Sequence, residues 1–475
     1  MKKKFGAVLT ACLMSGAIAA SLGMTGCGSS TIYEFAMPEN GYDGSKVTIT
    51  FANTTGQNLE SVVSSAVERF EKLYPNITVN VDNNTKSWDD FADKIGTKIT
   101  SGKQPHVAFC YSDHVANYNQ AGAVVALDEF FLPGSGYENI TVTDANGKPT
   151  SLCLTQEQVD DYIPTFFADG KVYKDGHMYT LPFAKSTEVL FYNKTKFDAW
   201  GLKAPTTWEE MEKVCKTIIE KADPNDIALG YDSESNLFIT LCEQYGYPYT
   251  ALEGDHYLFN TEKHKDFVQM LKDWYDSRYL TTQNTYGEYS SNLFTVTDSS
   301  KTKCYMSIGS TGGAQYQLPD STDGKFAFEI GVAPIPQVDE DNPKTILQGP
   351  NVCIFKHKNP QEVIASWLLV KFLTTDIQFQ GLYSETSGYS PVTKSTFESE
   401  AYQEFLSRGS LTARVAQVCY DYAENDAFFT SPAFVGSSQA RNQVGLIIKT
   451  YLLGTKKDIN KAFSDAIAEC SRFKD

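Results

Sequence analysis

Histidine is scarce in this chain. Its six occurrences (His106, His114, His177, His256, His264 and His357) show neither an HExxH spacing nor a close His/Cys grouping, so no metal centre is expected. There is no Gly-x-Ser-x-Gly elbow and no phosphate-cradling GKS or GKT loop. The usual signatures of a serine hydrolase and of a P-loop enzyme are therefore missing. Basic residues are outnumbered, with 41 Lys and Arg against 58 Asp and Glu and a formal net charge of −17. A surface of that sign repels nucleic-acid phosphates and anionic lipid heads, so neither is expected as a partner. One local basic pocket for a small anion stays compatible with it. No CxxC pair occurs, and beyond the N-terminus no stretch is long and apolar enough to span a bilayer.

What is present begins with length. The 475 residues correspond to two or three domains at roughly 150 residues each, enough for a large core. Aromatic residues are abundant (27 Tyr, 29 Phe, 5 Trp); most must be core, and a surplus suits a site that lays rings against sugars. Lys2, Lys3 and Lys4 precede an apolar run from Phe5 to about Leu22, then Met24-Thr25-Gly26-Cys27. Basic, apolar and small residues in that order read as an export signal, not a fold element. Cys directly after Gly resembles the lipobox of bacterial lipoproteins. Residues 1–26 are thus expected as a signal peptide, Cys27 as the lipidated N-terminus, and 27–44 as a polar tether. The expected location is the extracytoplasmic face of the cell membrane, held by lipid. A plain signal peptide with an incidental Cys is the alternative. The eight cysteines further on (Cys110, Cys153, Cys215, Cys242, Cys304, Cys353, Cys419 and Cys470) are scattered in apolar contexts such as Val352-Cys353-Ile354. Buried free thiols are expected; disulfides stay open for an exported chain.

Val47, Ile49 and Phe51 alternate with Thr48 and Thr50, which predicts a strand. Leu59, Val62, Ala66, Phe70 and Leu73 recur at helical spacing until Pro75 stops them. Ile77, Val79 and Val81 predict the next strand. This order suggests a βαβ unit with a parallel sheet. Further helices are expected over Trp88–Ile99, from Asp113 to Gln120, over Gln361–Thr374, and over Thr207–Ile219, where Thr207 and Glu210 suit a capping box. Val107–Cys110 and Leu190-Phe191-Tyr192 read as strands. The alternation fits two α/β lobes, without internal repeats or low-complexity blocks.

Five segments, in order, resemble the family 1 extracellular solute-binding proteins. They are Pro182-Phe183-Ala184-Lys185-Ser186-Thr187-Glu188-Val189-Leu190-Phe191-Tyr192-Asn193-Lys194 with its continuation through Pro205-Thr206-Thr207-Trp208-Glu209-Glu210, then Tyr305-Met306-Ser307-Ile308-Gly309, Gly331-Val332-Ala333-Pro334-Ile335-Pro336, and Ser387-Gly388-Tyr389-Ser390-Pro391-Val392. The last has Ser where the family's turn has Thr. The resemblance implies a two-lobed periplasmic-binding-protein fold of the class II type, with the ligand in a cleft between lobes and closure by hinge motion. It places the N-terminal lobe at 45–128 and 325–373 and the C-terminal lobe at 129–324 and 374–475.

It further implies a monomeric, non-catalytic receptor of an ABC importer. Its partners would be ABC permease subunits and a small polyhydroxylated or phosphorylated solute: a mono- or oligosaccharide, or glycerol 3-phosphate. No cofactor is expected. Candidate ligand residues carried over by position are Trp88, Asp113, Ser186, Glu234, Ser310, Thr311, Gly349, Tyr389 and Arg441. Arg441 suits a phosphate because a guanidinium can hold two oxygens at once. Ser310 and Thr311 stand beside Gly312-Gly313, where sugar binders often have Trp. Each candidate has a structural alternative. Asp113 suits a helix N-cap, and Trp88 an anchor for its helix. Gly349 and the Ser310–Thr311 pair suit tight turns, Ser186 and Glu234 a solvated loop, Tyr389 a core, and Arg441 a helix surface. Two other classes stay open: an exported carbohydrate-active or phosphoester-cleaving enzyme, told apart by turnover, and a surface adhesin or receptor on the same fold, told apart by its need for a host macromolecule. Glycosidase carboxylates need a defined separation, which sequence does not supply.

Overall fold

A computed structural model of the chain describes residues 33–83 and 88–473; the expected signal segment and Cys27 lie outside them. Ten strands build two five-stranded sheets: β1 (Val47–Ala52), β2 (Ile77–Asp82), β3 (Val107–Cys110), β4 (Thr180–Pro182), β5 (Glu188–Asn193), β6 (Ile227–Tyr231), β7 (Leu280–Thr282), β8 (Cys304–Ser310), β9 (Ile330–Pro334) and β10 (Asn351–Ile354). The first sheet has the order β2-β1-β3-β10-β4, the second β9-β5-β8-β6-β7. The helices that matter for the site are α1 (Gln57–Leu73), α2 (Trp88–Thr100), α3 (Ser112–Gln120), α4 (Trp208–Lys221), α5 (Glu234–Tyr245), α6 (Pro360–Thr375), α7 (Ile377–Ser387) and α8 (Ser437–Leu452).

The predicted βαβ unit is present. β1 and β2 pair in parallel, Val47 opposite Ile77 through Ala52 opposite Asp82, and α1 turns Leu59, Val62, Ala66 and Phe70 into the core. The helices read at Trp88, Asp113, Thr207 and Gln361 appear within a residue or so of their predicted starts. The cap of α4 differs in detail. Thr207 accepts the Glu210 amide at 3.2 Å, but the Glu210 carboxylate reaches back to the Thr206 amide instead of closing the box on Thr207. Helix α6 is apolar nearly all round because it is buried nearly all round. Its Trp367 stacks on Phe131 at 4.6 Å and donates to the Leu152 carbonyl. All eight cysteines of the described chain are buried and free.

Each sheet has its own core, and the division departs from the expected boundaries. Strands β1, β2 and β3 with Phe70 and Val115 belong to the first core. Phe131, Leu152, Tyr162 and Phe166 pack in the same core, and β4 joins the first sheet; the chain between 129 and 183 therefore belongs with the first lobe. Conversely β9 completes the edge of the second sheet, so 325–346 packs with the second lobe. Beyond 374, Phe379, Tyr383 and Val392 return to the first core, while α8 packs in the second. Alternation of strand and helix is the same whichever sheet receives the strand, so periodicity could not assign these segments. The expected tether also changes. Phe35 is buried against Phe130 and Phe131, and Gln361 holds the backbone of Gly41 and Asp43. The end of that stretch is docked on the first lobe.

Candidate ligand-binding cleft

The chain passes between the lobes side by side. Ser186 and Gln348 exchange backbone hydrogen bonds at 2.9 and 2.8 Å, and Lys185 and Ser390 do the same. Gly349 makes the close approach feasible. Its φ is +93°, and a Cβ there would meet the Ala184 carbonyl oxygen at 2.3 Å. Above these crossings opens a cavity of about 770 Å³ lined from both lobes. Below them Lys185, fully buried, pairs with Asp169 at 2.7 Å, and Asn351 donates to the same carboxylate. The floor is thus a charge-balanced, hydrogen-bonded junction.

The first lobe contributes the loop after β3 and the start of α2. Tyr111, Ser112 and Asp113 line the cavity at the N-terminus of α3. The Trp88 ring tilts against Tyr111 at 4.7 Å. Asp113 does two things at once: one carboxylate oxygen accepts the His114 amide, and the other accepts the Ser438 hydroxyl at 3.0 Å. Ser438 belongs to α8 of the second lobe, so this bond spans the cleft.

The second lobe contributes the first two turns of α8, Ser437 and Ser438 in the first and Arg441 and Asn442 in the second. A helix N-terminus presents free amides and the positive end of its dipole. Ser235 binds the Arg441 carbonyl at 2.8 Å, and Asn236 accepts from its guanidinium. Tyr249 and Thr250 line the same cavity, and neither hydroxyl has a partner among the described residues; the Gln348 side-chain oxygen is likewise unpartnered. Burial pushes the Tyr249 phenol up, the Arg441 charge opposing the rise. Tyr389 is pushed up to about 12 by burial, so its hydroxyl is a neutral donor at physiological pH.

Of the candidate residues, Trp88, Asp113, Gly349, Tyr389 and Arg441 line the cavity. The other four do not. Ser186 is buried in the crossing, tied by its backbone to Gln348. Ser310 accepts the Gly312 amide and so caps the turn that follows β8, whereas Thr311 accepts the Thr187 amide and ties that turn to the first crossing. The Glu234 carboxylate is fully engaged by the Thr282 hydroxyl and by the Asn284 amide and side chain. It positions Gln283 and Asn284, which do line the cavity.

Gly312 explains the missing tryptophan: a Cβ there would meet the Tyr389 ring at 2.6 Å. The ring that faces the cavity comes from a distant segment and covers the bare backbone. Sequence reading missed Tyr289 and Tyr316, which line the cavity and are 58% and 63% exposed. It also missed Tyr249. The cluster Tyr245-Gly246-Tyr247-Pro248-Tyr249 was the available signal.

One possible cation group lies outside the cavity lining, a grouping that spacing did not anticipate. His106, His357 and Glu362 bring one ligand atom each within 4.8 Å. His106 Nδ1 accepts the Thr50 amide, which leaves the proton on Nε2 facing Glu362. Nε2 of His357 lies 3.1 Å from the Pro105 carbonyl, and the rings stack at 3.8 Å. Burial and its neighbour hold His106 down to about 3. The pair is arranged as neutral stacked rings tied to backbone.

Residues 65–405 match the family described as "Bacterial extracellular solute-binding protein". The sn-glycerol-3-phosphate-binding periplasmic protein UgpB of Yersinia enterocolitica is 25% identical over 264 residues, 52% of this chain and 56% of that one. The multiple sugar-binding protein of Streptococcus mutans is 26% identical over 178 residues, 38% of this chain and 35% of that one. The chain thus spans between about a third and just over a half of the curated relatives it matches. Among solved structures, UgpB from Mycobacterium tuberculosis in complex with glycerophosphocholine superposes with a TM-score of 0.71 at 18% identity, over 90% of this chain and 98% of that one. At that identity the likeness is one of fold: two lobes, mixed α/β, of the periplasmic-binding type.

Proposed function

The chain belongs to the bacterial extracellular solute-binding proteins, and on that premise we propose that it captures a phosphorylated polyol in the interlobe cleft and presents it to the permease subunits of an ABC importer. The ligand class is glycerol 3-phosphate or a glycerophosphodiester. Arg441 and the first turn of α8 receive the phosphate. Asp113, Tyr249, Thr250 and Tyr389 meet the hydroxyls. Cleavage before Cys27 leaves a lipidated N-terminus that holds the protein at the extracytoplasmic face. The lobes close by a hinge at the crossings, and the protein binds without turning the ligand over.

The observation that carries this reading is the placement of Arg441. It is a cation one turn into α8, beside the helix N-terminus, and it lines a cavity of hydroxyls and aromatic rings. A second reading, a neutral sugar, rests on Trp88, Tyr289 and Tyr316, whose rings offer stacking faces.

Thermal unfolding of the chain from Ser29 onward, against a panel of both classes, tests the choice. A ligand at a hundredfold excess over its dissociation constant stabilises by about 2.7 kcal/mol. The expected outcome is a shift with glycerol 3-phosphate or a glycerophosphodiester that is lost in Arg441→Ala. A shift with a neutral sugar alone, unchanged in that variant, would overturn the phosphate reading.

A further inference from the structure

Glu188 is buried at the start of β5, where the first crossing enters the second sheet. One of its oxygens accepts from the Tyr231 hydroxyl at 2.5 Å, the other from the Asn236 side-chain amide at 2.7 Å. The oxygen of that same Asn236 amide accepts from the Arg441 guanidinium. A continuous chain therefore runs from a phenol through a buried carboxyl and an amide to the cation of the cleft. Four segments meet there: β5, the end of β6, the first turn of α5 and the second turn of α8. Where α5 and α8 pass, Gly445 lets Ser235 come so close that a Cβ would lie 2.5 Å from its hydroxyl. The amide's orientation is determined by this arrangement, because its nitrogen must face the acid and its oxygen the guanidinium.

We propose that Glu188 is the internal counter-charge of Arg441, and that an anion arriving at Arg441 takes over that role and drives a proton onto Glu188. The second half rests on the phosphate reading above; the first does not. The reasoning is electrostatic. A buried carboxylate is tolerated only with a compensating charge or strong hydrogen bonds. Here burial raises the carboxyl against the opposing pull of Tyr231, Asn236 and the Arg441 charge, and the balance stands at about 7. Once a phosphate neutralises Arg441, the last of those pulls weakens and the carboxyl rises further. The other charged or titratable groups facing the pair are Asp232, which raises Glu188 slightly, Tyr231 and Tyr249, both held neutral by burial, and Asp113, which reaches Ser438 one turn before Arg441.

The sign follows. Because the bound state holds the proton more tightly than the free state, affinity is highest below the free-state value and falls as pH rises past it. A rise of one unit on binding makes affinity about fivefold weaker at pH 8 than at pH 6. A structural role for Glu188 alone predicts no such slope.

Two measurements on the full chain test this. The first needs no ligand: infrared titration of the protonated carboxyl band that disappears in Glu188→Gln. Its midpoint should move up in Arg441→Gln and also in Tyr231→Phe, which removes one hydrogen bond while keeping the ring. A midpoint indifferent to Arg441→Gln overturns the counter-charge. The second is calorimetry with glycerophosphocholine, whose phosphodiester does not titrate near neutrality, in two buffers of different ionisation enthalpy. Wild type should take up a fraction of a proton near pH 7 and lose affinity about fivefold from pH 6 to pH 8, whereas Glu188→Gln should bind with no such uptake and a flat profile. Binding by wild type without proton uptake overturns the linkage. No binding at all sinks the anion reading and the linkage with it, and the infrared titration then decides the counter-charge by itself.

Discussion

A methyl group at position 312 would lie 2.6 Å from the Tyr389 ring, so at the scale of single residues the cleft is shaped by an absence. Gly312→Ala must push that ring away or move its own loop. Overpacking of this kind costs about 1–3 kcal/mol. The expected result is a ligand affinity reduced about tenfold with the fold retained, checked by calorimetry beside the variant's thermal midpoint. At this scale Arg441 and Tyr389, singled out in the sequence, line the cavity. An arginine in a Ser-rich helix start and a tyrosine in a Gly-Tyr-x-Pro turn have few other reasons to be together. Ser186, Ser310 and Thr311 are not among the lining residues, because a small hydroxyl residue serves a crossing or a turn as readily as a ligand. Only tertiary neighbours distinguish the two, such as the Thr187 amide that occupies Thr311.

At the scale of elements, periodicity located the helices well. Apolar positions at helical spacing and a stop at Pro75 are enough to define α1. Short connecting elements were not legible, and the stretch around β7 shows why. Leu280–Thr282 is three residues long and is held at Thr282 by a carboxylate from 48 positions earlier in the chain, Glu234. No local pattern announces such a tie. Glu234→Ala would leave Thr282 and Asn284 without their acceptor. Hydrogen bonds to a charged group are worth about 1.5–3 kcal/mol each, so the variant should lose stability on that order in urea unfolding. It should also lose affinity through Gln283 and Asn284, although Glu234 itself does not line the cleft. An affinity unchanged in a destabilised variant would show that the loop it holds does not contact ligand.

At the scale of the whole molecule, the two-lobed architecture was legible from motif order, but the path of the chain between the lobes was not. Strand β4 and strand β9 each sit in the sheet opposite to the one expected from their position. Burial decides this: Leu181 is packed in the first core, and Ile330 in the interior of the second lobe. The interlobe position of the cavity makes the account testable as a single claim. The lobes meet across Asp113 and Ser438, over crossings held by paired backbones, so one ligand should be enclosed per chain. Calorimetric titration with glycerol 3-phosphate, glycerophosphocholine and maltose, followed by analysis of the recovered ligand, measures this directly. The account predicts saturable one-to-one binding of a phosphorylated polyol that is recovered unchanged. Its contradiction would be the absence of saturable binding by any of the three, or a cleaved ligand, which would make the cleft an active site.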